Sequence, residues 1–143
     1  MTVLADFEVH VNYDPPRAVR VVIYDSLKGL RIAASKHENR GVRKKNRKAG
    51  QYANTLGICH RFENYDKQGQ LKPVCAIVRL AAPHLGVGIA SHELFHAAVW
   101  FRELEGDNEP LTTHNDEPFA WVLGELVRQT INSMREFGVF NED

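Results

Sequence analysis

The chain has 143 residues, 43% hydrophobic and 25% charged, with 18 Lys+Arg balancing 18 Asp+Glu and seven histidines. That length and composition point to one folded domain spanning residues 1–143, able to bury a core of its own, and exclude a disordered polyelectrolyte. No apolar run approaches the ~20 residues needed to span a bilayer. No basic-then-apolar leader opens the chain, and two cysteines make no disulfide framework. A cytoplasmic, reducing location without a membrane partner is therefore expected.

The charge is neutral in total but unevenly spread. Residues 101–143 hold ten Asp+Glu and three Lys+Arg, a net of −7, so the first 100 residues carry a net of +7. Much of that excess lies between Arg40 and Lys48. A chain divided in this way is a dipole rather than a polycation.

Residues 7–13 alternate apolar and polar side chains, the period of a half-buried strand. Pro15-Pro16 breaks the chain, and residues 19–24 form a second β-branched run. Asp25 or Ser26 is placed to cap a helix over residues 27–38, with Leu27, Leu30, Arg31 and Ala34 along one side. The basic stretch 40–48, between Gly41 and Gly50, reads as an exposed loop or a frayed helix end. Residues 55–62 and 74–80 read as two strands joined in a hairpin. A centre near residue 67 would set Cys59 against Cys75, and a turn on Gln68-Gly69 would not; the thiols are expected to be structural. A helix over residues 87–104 follows, ended by residues 105–110. A last helix covers 116–137, with Asn115 or Thr113 as cap candidates. The expected class is α+β, a small, mostly antiparallel sheet covered by the two C-terminal helices.

The helix over 87–104 contains Ser91-His92-Glu93-Leu94-Phe95-His96-Ala97-Ala98. On a helix, His92 and His96 are one turn apart and project from one face, so both imidazoles can reach a single zinc ion. Glu93 sits about 100° around from His92, positioned to act as a general base without ligating the ion. The neighbours Ile89, Ala90, Leu94, Phe95, Ala97, Ala98, Val99 and Trp100 are apolar, so the helix is expected to be buried. Burying two imidazoles and a carboxylate is costly without partners. The plainer alternative is a hydrogen-bonded pair of core histidines.

A catalytic zinc ion takes three protein ligands and keeps one position open. Arg102 stands where a third histidine would lie six residues beyond His96, which excludes that compact arrangement. Glu103 shares the histidine face but lies about 10 Å along the helix axis. Glu117, in the first turn of the last helix, has the best case, and Ala120, Gly124 and Ile131 on its face would let the two helices approach closely. His114 is the alternative third ligand. Asp116 is placed to hold a ligand imidazole. His114, His84, Tyr52 and Arg102 are candidate donors to a transition-state oxyanion.

Residues 89–98 resemble the zinc-binding helix of the zincin metallopeptidases. Together with Asn115-Asp-Glu-Pro-Phe-Ala-Trp-Val-Leu-Gly124, they are similar to the gluzincin branch and to the compact bacterial and phage-type peptidases around the ImmA/IrrE group, over about residues 87–127. The resemblance implies that His92, His96 and Glu117 hold one zinc ion and that Glu93 is the base in peptide-bond hydrolysis. It also implies that residues 74–80 form the sheet edge against which a peptide substrate pairs. Thermolysin-like members carry an Asp four residues after the ligand glutamate, where this chain has Trp121. Two other readings compete. One is a metal-binding regulatory protein without turnover. The other is a nucleic-acid-binding protein using Arg40, Arg43, Lys44, Lys45, Arg47 and Lys48, a run that equally suits a solvated loop.

Overall fold

The computed structural model describes residues 2–47 and 50–140. In chain order the elements are β1 (Val3–Val11), β2 (Arg17–Tyr24), α1 (Leu27–Glu38), β3 (Gly57–Arg61), β4 (Val74–Ala81), α2 (Val87–Leu104) and α3 (Glu117–Glu136). The four strands form one sheet in the order β1-β2-β4-β3. The outer pairs are antiparallel and the central pair, β2 with β4, is parallel, so the sheet is mixed. The parallel centre follows from the connection: the chain leaves β2 through α1 and returns in the same direction as β4, with β3 added outside it. β2 shows why it is central, since only Arg20 of its eight residues is exposed.

Both faces of the sheet are covered, not one. Val19, Val21, Ile23, Val78 and Leu80 pack into the main core with α2 and α3. Val22, Tyr24 and Ala81 pack on the opposite face against Leu30 of α1. α1 matches its expected bounds because Ser26 caps it, its Oγ accepting from the Gly29 N–H at 3.1 Å. At α3 the N-cap is Asp116. Asn115 instead closes the preceding loop, accepting from Thr112 N at 2.7 Å and donating to Pro110 O at 3.0 Å.

The β3–β4 register pairs Gly57 with Leu80 and Cys59 with Val78, which centres the hairpin between Gln68 and Gly69. Gly69 takes a positive φ of 79°, and Asp66 Oδ1 accepts from the Gln68 and Gln70 N–H groups. Cys59 and Cys75 therefore do not face each other, and both are free thiols. Among the described residues, no helix is long and apolar enough to cross a membrane.

On the α1 side of β3, buried His60 stacks on His37 with ring centroids 4.0 Å apart and meets Tyr52 edge-on. Burial, followed by His37 and Arg79, holds its pKa down at about 4. Burial and Arg79 also depress His37, and Glu38 Oε2 stands 3.9 Å from His60 Nδ1. His60 stays neutral in the fold but binds a proton in the unfolded chain, so stability is lost as pH falls from 6.5 toward about 4. Urea unfolding is expected to show a lower free energy at pH 4.5 than at pH 7. His60→Phe should shrink that difference by on the order of 2 kcal/mol; an unchanged difference contradicts this account.

Candidate metal centre

Ala90, Leu94, Ala97 and Phe101 form the buried stripe of α2. Fixing that stripe in the core turns His92 and His96 outward, where both are exposed. The expected burial of the whole motif is thus only partly met: the His92 side chain is 68% exposed and Phe95 is 43% exposed. Glu93 alone bears the cost of burial, at 7% exposure, which raises its carboxyl pKa against the opposing pull of His92.

His92 Nε2 and His96 Nε2 lie 3.4 Å apart, with their rings edge-on. Two nitrogens bound at about 2.05 Å to one tetrahedral ion are separated by roughly 3.3 Å. The pair therefore already has the spacing of two ligands to a single ion. Glu93 Oε1 stands 3.8 Å from His92 Nε2. Burial, followed by His92 and Arg61, depresses the pKa of His96 and favours the neutral imidazole that a metal requires.

β3 forms the opposite wall. Two depressions lie between it and α2, one of about 300 Å³ with Cys59, Arg61 and His96, the other of about 390 Å³ with Leu56, Gly88 and His92. Thr55, Gly57 and Glu93 belong to both, so the carboxyl sits on their shared rim. The strand comes this close because residue 57 is glycine: a Cβ there would lie 3.1 Å from Ile89 Cγ2 and 3.2 Å from Glu93 Cγ. Cys59 lies beside the carboxyl, and burial together with Glu93 pushes its thiol up to about 12, which removes it as a thiolate nucleophile. The Arg61 guanidinium lies over the Trp100 ring, 6.0 Å from its centroid.

The remaining expected residues fall as follows. Phe119 packs edge-on against Phe95 at 5.5 Å, which brings the first turn of α3 beside the motif helix. Glu117 itself is exposed, and so are Ala120, Trp121 and Gly124 on its face. The helix contact runs instead through Val122, Leu126 and Met134, so the small residues expected to seat it face away from it. Among the described residues, no group of three His, Cys, Asp or Glu side chains is gathered to hold an ion. His114 is exposed, and its backbone N–H donates to Thr112 Oγ1. Asp116 makes no hydrogen bond or ion pair with either imidazole among the described residues.

Tyr52 donates to Glu38 on the α1 side, and Arg102 pairs with Asp107, so neither is directed to the cleft. Strand β4, expected as the peptide edge, is internal between β2 and β3; the edge beside α2 is β3. Arg43, Lys44, Lys45 and Arg47 lie in and around an exposed 3-10 turn that follows α1, and Lys48 is outside the described residues. The β3 residues of the cleft were missed in the sequence reading, although Gly57 within a strand is a recognised sign of close backbone approach.

Comparison of the chain with protein-family models, with characterised proteins and with solved structures finds no match.

Gly57→Ala is expected to lower stability by about 1–2 kcal/mol, because Ile89 and Glu93 must give way. Gly88→Ala meets nothing within 4 Å and should be neutral or stabilising. Equal thermal unfolding midpoints for the two variants would contradict the close approach.

Proposed function

We propose that the chain is a zinc-dependent peptidase of minimal gluzincin type, with His92 and His96 as metal ligands and Glu93 as general base. One observation carries the reading: two imidazole nitrogens 3.4 Å apart, beside a buried carboxyl on the rim of a two-part cleft. A zinc ion held there would lower the pKa of a coordinated water toward neutrality and polarise a peptide carbonyl. Glu93 then takes a proton at its carboxylate and returns it to the leaving amine.

The free edge of β3 suits an extended peptide, since an edge strand leaves every second N–H and C=O unpaired. The two depressions then take side chains from either side of the scissile bond, with Arg61 at one end and Leu56 at the other. Glu117 is the proposed third ligand on the resemblance of residues 115–124 alone, since Phe119, which meets Phe95, lies about 200° around the helix from it. His114 is the alternative.

Metal analysis of the purified protein is expected to give one zinc per chain, lost in His92→Ala and in His96→Ala. Glu93→Gln should keep the metal and lose peptide cleavage by at least about 100-fold. Full zinc content in both histidine variants, or full activity in Glu93→Gln, would overturn the proposal. For the third ligand, Glu117→Ala should release zinc where His114→Ala does not; the reverse result transfers the role to His114.

A further inference from the structure

The α1 layer, on the opposite face of the sheet from the motif helix, has a charge pattern that the peptidase reading does not use. Residues 27–47 hold eight Lys+Arg and one acidic residue, Glu38. That carboxylate is engaged within the layer, accepting from Tyr52 and standing 3.9 Å from His60 Nδ1. Lys28, Lys36, Arg40, Arg43, Lys44 and Lys45 are all exposed. None of them forms an ion pair with an acidic side chain among the described residues. Arg47 folds the segment back, its Nε donating to Val42 O at 3.0 Å.

Two clefts flank α1. One, of about 460 Å³, is lined by Lys28, Lys36 and Tyr52. The other, of about 860 Å³, is lined by Arg20, Arg40, Lys72, His37 and Phe62, with Glu63 as its one acidic residue. Each combines cations with an aromatic side chain. The acidic residues that balance this charge, including Glu105, Asp107, Glu117 and Glu125, belong to the end of α2, the loop after it and α3. On the α1 face of the sheet Asp6 pairs with Arg20 at 2.6 Å, so the unpaired positive charge rests on α1 and the segment that follows it.

We propose that the α1 layer binds single-stranded nucleic acid, independently of the peptidase reading. A helix of 12 residues is about 18 Å long. Cations spread over that length and its C-terminal extension suit a train of phosphates better than a single anion. The aromatic side chains in the clefts supply stacking surfaces for unpaired bases. A flat anionic membrane would not enter either cleft.

The test is fluorescence anisotropy of a labelled 20-nucleotide single-stranded DNA with the full chain. With about four phosphates contacted, affinity should fall roughly 50-fold between 50 and 200 mM salt. Arg43→Glu/Lys44→Glu/Lys45→Glu is expected to weaken binding at least ten-fold and flatten the salt slope, and Lys28→Glu/Lys36→Glu should also weaken it. Arg128→Glu on α3 should leave it unchanged. The neutral variant Arg43→Gln/Lys44→Gln/Lys45→Gln, with an unaltered circular dichroism spectrum, guards against misfolding and should also bind more weakly. No binding at 50 mM salt, equal binding by wild type and the triple variants, an equal loss with Arg128→Glu, or binding to phosphatidylserine vesicles without binding to DNA would each overturn the proposal.

Discussion

The rotation of α2 about its own axis is the constraint on which the site depends. A helix with His92, Glu93 and His96 in one turn can present them inward, outward or split between the two. Here the split is fixed by packing. Leu94 and Phe101 are fully buried, each worth about 1.5–3 kcal/mol in removed apolar surface. Three further contacts hold the helix along its length. Gly57 admits Ile89 and Glu93 against β3 near its start. Trp100 Nε1 donates to Cys75 O at 3.0 Å and lies 3.3 Å from Phe62 O. Glu105, just past the end, accepts from buried Arg17 at 3.0 Å. With the helix locked at its start, middle and end, the imidazoles have no option but to face the cleft.

That arrangement separates the chemistry of neighbouring residues by environment. The histidines are exposed, so an ion would reach them from solvent without entering a closed core. Glu93, one residue from His92, is buried and has its proton affinity raised. The same dry corner suppresses ionisation of Cys59. A carboxyl with raised proton affinity thus stands beside His96, an imidazole whose own proton affinity is lowered.

Elements specified by local chemistry were legible in the sequence. α1 and α2 have the expected bounds, 27–38 and 87–104, and of the two cap candidates for α1 it is Ser26 that caps. β1 was read from residue 7 but starts at Val3, because a register shift between Val3 and Ala5 breaks strict alternation there. The parallel pairing of β2 with β4 was not visible as a local pattern, although β4, apolar at every position but Arg79, has the composition of a strand covered on both faces. At the site, ligand spacing was legible and exposure was not: the apolar neighbours suggested a buried motif, yet Phe95 and Val87 remain partly in solvent. The wall supplied by β3 depends on tertiary approach through Gly57, and the exposed face of α3 depends on which stripe the core selects. Neither is a property of a short window of sequence.

The central claim is that His92 and His96 are preset to share one ion through their Nε2 atoms. Diffraction from zinc-soaked crystals, with anomalous differences collected at the zinc edge, tests it most directly. The account predicts one peak about 2.1 Å from both Nε2 atoms. A peak bound through Nδ1 or at other residues, or the absence of any peak at the motif helix, would contradict it.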